Sequence, residues 1–300
     1  MKLTTFLARY GTEEACRAHL ESVRWPHGPV CDRCGAVDNA TPVAKRPGVY
    51  RCRDCGKDFR VTVGTPMEDS RLPLRTWYLA MYLILASSKG ISSVKLGEQL
   101  GITQKSAWFL GHRIRALLDS GENLPLSGIV EADESYIGGK ARNLRNSAVR
   151  PGRGRGTKKP MLFAAVERGG EARTARIASA KIDDIAPLLW KWTGGGQAVL
   201  SSDELATYRW IGRKMEGHHV VNHARREFVR GQWHVNTVEG FFGLFKRAIV
   251  GVWHWISGKH LHRYAGEHGF RWNHREDIAD RIARCLIGQH GRLSWKELVK

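Results

Sequence analysis

The sequence predicts an α/β domain preceded by a cysteine-bound module and an all-helical module. Three observations carry this. Residues 26–65 hold two Cys-x-x-Cys pairs in a stretch rich in Gly and Pro, which cannot form a large core on its own. Residues 70–122 read as helices joined by short turns. From about residue 128, short apolar runs alternate with amphipathic segments, the pattern of strands and helices in a mixed domain.

Residues 1–25 read as a short helical lead-in. Thr12 can cap a helix there, and Glu13 and Glu14 suit the positive end of its dipole. Next come Cys31-Asp32-Arg33-Cys34-Gly35 and Cys52-Arg53-Asp54-Cys55-Gly56. Zinc takes four soft or borderline ligands in a tetrahedron, and two such knuckles supply them. The glycine after each pair suits the tight turn that aims backbone amides at the sulfurs. Tyr50 and Phe59 can supply a small apolar layer beside the metal. One structural Zn²⁺ on Cys31, Cys34, Cys52 and Cys55 is therefore expected, with no open coordination position. Cys16 and Cys285 fall outside the pattern and read as core residues.

In the helical stretch, Leu74–Ala86 forms one apolar helix. A second starts at Ser92 or Ser93 and runs to Leu100. Gly101-Ile102-Thr103 makes a turn, and Gln104–Leu117 forms a third helix. A short helix, a Gly-containing turn and a longer basic-polar helix make up the helix-turn-helix pattern. Its third helix would present Gln104, Lys105, Trp108, His112 and Arg113 to a DNA groove. A plain three-helix packing module is the alternative.

In the last block, Gly128-Ile129-Val130-Glu131-Ala132-Asp133 reads as a strand ending in acids. Residues 161–166 and 172–178 read as a hairpin turning at Gly169-Gly170. Ile182–Trp192 has helical periodicity and stops at Gly194-Gly195-Gly196. Residues 197–201 form another short strand that runs into acids, and 237–250 a helix. Between Lys140 and Lys159 lies a stretch with eight basic residues and no acid. Its Arg153, Arg155, Lys158 and Lys159 are candidates for gripping phosphate.

The chain carries 48 Lys and Arg against 29 Asp and Glu, a formal net charge of +19. A surplus of that size calls for an anionic partner, and polyphosphate is the commonest. The chain start lacks a long apolar run, and the longest such run, near 78–86, is far short of the roughly 20 residues needed to span a bilayer. The expectation is a cytoplasmic protein, nucleoid-associated when on DNA, with no membrane partner and with reduced thiols.

Three acids stand out by position. Asp133 and Asp203 end predicted strands, and Glu239 lies on a predicted helix. Sixty-nine residues separate the first two, and thirty-five separate the second from the third. Phosphoryl transfer on DNA uses two divalent ions a few ångströms apart, and hard ions want oxygen ligands. Carboxylates at neighbouring strand ends, with one from a helix, can converge on such a pair.

The constellation resembles the DDE transposase and integrase superfamily, with its ribonuclease H-like core. The resemblance narrows through Glu131-Ala132-Asp133-Glu134-Ser135-Tyr136-Ile137-Gly138-Gly139-Lys140, through Ser202-Asp203-Glu204, and through His234-Val235-Asn236-Thr237-Val238-Glu239-Gly240-Phe241-Phe242 with Lys246-Arg247. With Lys259-His260-Leu261-His262-Arg263-Tyr264 and Phe270-Arg271-Trp272-Asn273, these look like the bacterial insertion-sequence transposases of the ISXO type, which also carry an N-terminal zinc ribbon.

The resemblance implies that Asp133, Asp203 and Glu239 hold two Mg²⁺ or Mn²⁺ ions, with Asp133 bridging them. Asn236 is the alternative third ligand. Strand alternation puts Glu131 on the face of Asp133, so it too is a candidate, though a less favoured one. Lys246, seven residues after Glu239 and on the same helix face, would touch a phosphate, and Arg247 beside it would contact DNA. The implied organisation is a helix and zinc ribbon over 1–65, a helix-turn-helix domain over 66–122, a ribonuclease H-like catalytic domain over 123–280 and a tail over 281–300. The implied function is binding the terminal repeats of an insertion sequence, cleaving its ends and joining them to double-stranded target DNA, at least as a homodimer. A zinc-ribbon and helix-turn-helix regulator, or a ribonuclease H-like nuclease that does not join strands, are the alternatives.

If the net charge serves DNA, affinity should fall steeply with salt. Each phosphate contact the protein makes contributes about −0.9 to the slope of log K against log[salt]. Titrating labelled duplex at rising NaCl checks this, and a flat response would assign the charge another purpose.

Overall fold

The computed structural model describes residues 1–118, 124–138, 159–287 and 291–299. The basic residues Arg153, Arg155 and Lys158 lie outside them. The chain divides into two compact units. One comprises Met1–Gly121 with Arg275–Lys300, and the other Glu122–His274. No helix among the described residues is long and apolar enough to cross a membrane.

The first unit opens with helices α1 (Leu3–Tyr10) and α2 (Glu13–Arg24). Thr12 caps α2 as expected, its side chain accepting from the Ala15 N–H at 3.1 Å. Glu13 caps a different helix. Its two carboxylate oxygens accept from the N–H groups of Leu74 and Arg75 at 2.8 and 3.0 Å. These open α3 (Leu74–Ala86), whose preceding residue, Pro73, has no side-chain acceptor to offer. Between α2 and α3 lie three short antiparallel strands, β1 (Ala40–Pro42), β2 (Tyr50–Cys52) and β3 (Asp58–Phe59), in that order across the sheet.

Helices α4 (Ser93–Leu100) and α5 (Gln104–Leu117) pack together as the helix-turn-helix pattern requires. Ser92 caps the first and Thr103 the second. Gly101 between them sits at φ +65°, the left-handed region where a side chain is costly. The segment expected as a tail holds two helices, Ile278–Ile287 and Trp295–Val299. The first packs on α2 and α3, burying Ile282, Cys285 and Leu286, and its Arg281 donates to the Leu85 carbonyl. In the second, Trp295 meets the rings of Trp108 and Phe109 on α5 edge-on.

The second unit is built on five strands: β4 (Ile129–Tyr136), β5 (Met161–Glu167), β6 (Ala172–Ile177), β7 (Val199–Ser202) and β8 (Gly217–Val220). Their order is β6-β5-β4-β7-β8. The first three form an antiparallel meander, and β7 and β8 then run parallel to β4. Parallel pairing needs crossovers. Helix α6 (Ile182–Trp192) precedes β7, and α7 (Ala206–Ile211) lies between β7 and β8. A small hairpin, β9 (Val229–Arg230) and β10 (Trp233–His234), leads into α8 (Asn236–Ala248), and α9 (Leu261–Asn273) closes the unit. This sheet with its flanking helices is the expected ribonuclease H-like core.

Helices cover both faces, which is why β5 reads as an almost unbroken apolar run. Met161, Phe163 and Ala165 join Val130, Ala132, Leu200 and the α6–α7 residues in one core layer. Leu162, Ala164 and Val166 pack with Val238, Phe241, Phe242 and Phe245 of α8 and with Leu261 and Tyr264 in the other. Alternation along β4 therefore turns Val130 and Ala132 towards α6 and α7, and Glu131 and Asp133 to the opposite face.

Candidate active site

The four cysteines come together as their spacing requires. The Sγ atoms of Cys31, Cys34, Cys52 and Cys55 all lie within 4.8 Å of one another. Cys31 and Cys55 are 3.7 Å apart, and Cys34 and Cys52 3.6 Å. Gly35 and Gly56, at φ +74° and +68°, turn the chain after each pair and donate back to the carbonyls of Cys31 and Cys52. Trp25, Tyr50 and Phe59 pack in mutual contact beside the cluster. Four thiol ligands and no fifth donor fit a closed, structural Zn²⁺ site. Cys16 and Cys285 are fully buried elsewhere, as expected of core residues.

Asp133 does not end its strand as expected: β4 continues to Tyr136 because Glu134, Ser135 and Tyr136 keep pairing with β5, whereas Asp203 lies just past the end of β7 and Glu239 in the first turn of α8. Among the described residues, only the four cysteines draw three or more ligand atoms within 4.8 Å of one another, so the carboxylates do not close to that range. They do sense one another. Burial, then the negative charges of Glu134, Asp203 and Glu239, push Asp133 up to about 7, against the Glu134 N–H that its Oδ1 accepts at 2.8 Å. Burial and repulsion from like-charged neighbours both favour the protonated form of Asp133. A divalent ion bound by oxygen would remove that repulsion, and in this sense the donor set fits Mg²⁺ or Mn²⁺.

The neighbouring acids are held by protein donors. Glu134 accepts from the buried Tyr208 hydroxyl at 2.8 Å, on the α7 side of the sheet. Glu204 accepts from the N–H groups of His223 and Ala224. Glu131 is fully buried and accepts from Arg168, Thr237 and Val238. Asn236, the alternative ligand, is exposed at the first position of α8. Lys246 is exposed on α8, its ammonium 5.8 Å from the Phe242 ring centroid, and Arg247 is exposed beside it. Lys159 is half-buried just before β5.

The histidines do not assemble a second metal site among the described residues. His218 bonds the Ser202 hydroxyl at 2.9 Å, and burial holds it down at about 4. His219 stacks on Trp233, and His234 faces Glu131. His223 Nδ1 is 3.9 Å from Glu239. Trp253 packs on Phe245 and Tyr264, whereas Trp255 is exposed.

On α5, Gln104 and Lys105 are exposed at the helix start. Gln104 donates to the Ser93 hydroxyl, and the Lys105 ammonium lies over the Trp295 ring. Trp108 is half-buried. Arg113 and His112, expected at the groove, are buried instead. The Arg113 guanidinium lies between the rings of Trp77 and Phe109 and donates to the Glu68 carbonyl. The apolar stripe of α5 includes their positions, so the helix turns them into the core.

Two family models match the chain. The ISXO2-like transposase domain covers residues 125–273, and the transposase zinc-ribbon domain covers residues 11–58. The chain belongs to the ISXO2-like transposases. A protein of the transposable element ISH50 from Halobacterium salinarum is 29% identical to this transposase over 272 residues, covering 82% of this chain and 85% of its own. A crystal structure of a pre-cleavage Mos1 transpososome aligns with 71% of this chain and 79% of that one, at 12% identity and a TM-score of 0.29. The strand order, rather than that alignment, carries the fold assignment.

Chelation should remove one zinc per transposase chain and unfold the β1–β3 module while the α/β unit keeps its structure. Metal analysis with circular dichroism before and after chelation reads both. A preparation that folds without zinc would exclude the site.

Proposed function

We propose that Asp133, Asp203 and Glu239 form the metal-binding active site with which this transposase cuts the ends of its element and joins them to double-stranded target DNA. The observation that supports it is the convergence of acids from β4, from just past β7 and from α8. Asp133 is buried where it senses the charges of Glu134, Asp203 and Glu239, and of the nearby acids Glu131, Glu134 and Glu204 are held by protein donors. Two Mg²⁺ or Mn²⁺ ions, when bound, would activate the attacking oxygen and stabilise the leaving one.

The chain supplies the rest. Asp133 presents its oxygens from the central strand β4 and Asp203 from just past its neighbour β7, and Glu239 brings a third carboxylate on α8. Its charge neutralises dications better than the amide of Asn236 would. Lys246, two turns further along the same helix, offers an ammonium to a phosphate of the bound strand. Catalysis on this reading is positioning of the attacking hydroxyl in line with the scissile bond and stabilisation of the charge that develops there. The zinc ribbon and the exposed start of α5, with Gln104 and Lys105, would recognise the terminal repeat. Two ends have to be held for joining, so the working species on DNA would be at least a dimer.

Strand transfer tests the reading. The protein is incubated with Mg²⁺, a labelled duplex carrying the terminal repeat and a supercoiled target. Joined product should form, and Asp203→Asn and Glu239→Gln should each lower it by about 10²-fold or more. Binding without cleavage or joining would point to a regulator, and cleavage without joining to a nuclease. Proton linkage gives a second check. Because Asp133 has to lose its proton to bind a cation, Mn²⁺ affinity should rise with pH up to about 7 and level off above it. Calorimetric titrations across pH 5.5–8.5, a range set by that roughly neutral midpoint, would follow it, and a flat profile would remove Asp133 from the ligand set.

A further inference from the structure

The start of α8 poses a structural problem. A helix leaves its first N–H groups without partners, and the residue before it usually supplies a side-chain oxygen. Here that residue is Val235, which has none. The acceptor comes instead from the middle of the sheet. Glu131 Oε2 accepts from the N–H groups of Thr237 and Val238 at 2.7 and 3.1 Å, and Oε1 accepts from the Thr237 hydroxyl at 2.9 Å. Thr237 and Val238 are the second and third residues of the helix, where a capping side chain would normally bond.

Glu131 is fully buried, and its charge is answered. Arg168 Nε donates to Oε1 at 2.7 Å. The same guanidinium donates to the Gln232 carbonyl at 2.6 Å and the His234 carbonyl at 3.2 Å, tying down the chain that enters α8. His234 Nδ1 lies 3.1 Å from Oε1. Ser201, paired with Glu131 across the β4–β7 ladder, donates its hydroxyl to the same His234 carbonyl at 2.7 Å. Glu131 and Ser201 thus each stand two residues before an acid of the proposed site, Asp133 and Asp203. Both bond the segment that delivers Glu239.

We infer that Glu131 is a positioning residue of the active site. It is a carboxylate cap, lent by the strand that carries Asp133 and balanced by Arg168, that fixes the first turn of α8 and so sets where Glu239 stands. The inference rests on the reading of Asp133, Asp203 and Glu239 as metal ligands. Glu131 itself does not touch the metal, because its oxygens are filled by protein donors. Gln has the same size, but whichever oxygen its NH₂ replaces, that NH₂ would meet a donor: the two helix N–H groups on the Oε2 side, or the Arg168 guanidinium on the Oε1 side. Glu131→Gln should therefore loosen the first helical turn.

The test is Mn²⁺ binding to the full-length, zinc-loaded chain, with free Mn²⁺ read by electron paramagnetic resonance. Losing the support behind a metal ligand costs about 10–100-fold in metal affinity, and Glu131→Gln should fall in that range. If it acts through Glu239, then on a Glu239→Gln background it should have less than about a twofold further effect, since coupled residues are not additive. Its loss of thermal stability should be the same in both backgrounds. A purely structural role would lower the melting temperature and leave Mn²⁺ affinity alone, or weaken Mn²⁺ equally in both backgrounds, and either result overturns the inference. Should Glu131→Gln not fold, Thr237→Val decides. It deletes one donor to Glu131 and should weaken Mn²⁺ about threefold, a lesser share of the loss expected when the support behind a metal ligand is removed, and unchanged affinity in that folded variant would be equally fatal. If Glu239→Gln itself leaves Mn²⁺ affinity intact, the ligand assignment fails first. If it weakens Mn²⁺ and Glu131→Gln does not, only the positioning role fails.

Discussion

Like charges have to be held together at the end of this sheet, and the rest of the α/β unit is arranged around that repulsion. Burial, and then the charges of Glu134, Asp203 and Glu239, raise the proton affinity of Asp133. Gathering these acids requires a parallel β4–β7 pair, so that the end of β7 lies beside the middle of β4. It also requires a helix docked firmly enough to bring a third anion towards the other two. Glu134 adds to the repulsion, yet each surrounding acid is held by a donor of its own: Arg168 and the α8 amides for Glu131, Tyr208 for Glu134, and the His223 and Ala224 amides for Glu204. On the reading proposed above, these three hold structure and the other three would hold cations.

Much of this could be read from the chain. The zinc module was legible because its determinants are local: two pairs of cysteines, each within one turn, with glycines where the backbone turns back. The strand end before Asp203, the β5–β6 hairpin and α8 were legible through periodicity, whereas β4 runs three residues past Asp133, where the acids of Asp133 and Glu134 hid its continuation. Glu131 was visible as an acid on the face of Asp133, but its partners lie more than a hundred residues away, at Thr237 and Val238. Spacing carries no trace of such a bond. Arg113 and His112 failed for a related reason. Basic and polar residues on a helix suggest a wet face, yet Trp77, Phe109 and the Glu68 carbonyl give the guanidinium of Arg113 a place inside.

The first unit meets a different demand. Its zinc module has little apolar surface to bury, so Cys31, Cys34, Cys52 and Cys55 do the work of a core there, with Trp25, Tyr50 and Phe59 as a thin layer beside them. One of the helices around it, α3, relies on a borrowed cap. Glu13 closes the start of α3 from another helix, much as Glu131 closes the start of α8 from a strand. In both cases the residue before the helix cannot cap it, and a distant acid welds two elements that sequence alone would treat as separate.

The first unit is also discontinuous, since Arg275–Lys300 belongs with Met1–Gly121 and Ile282, Cys285 and Leu286 are buried there. The α/β unit is in effect an insertion in another unit's chain. During synthesis, the helical unit has to wait: its last helices leave the ribosome only after every strand of the sheet has emerged. The order of translation is therefore not the order of completion. Damage to the end of the message, which would seem to threaten only the neighbouring α/β unit, falls instead on the unit that was begun first.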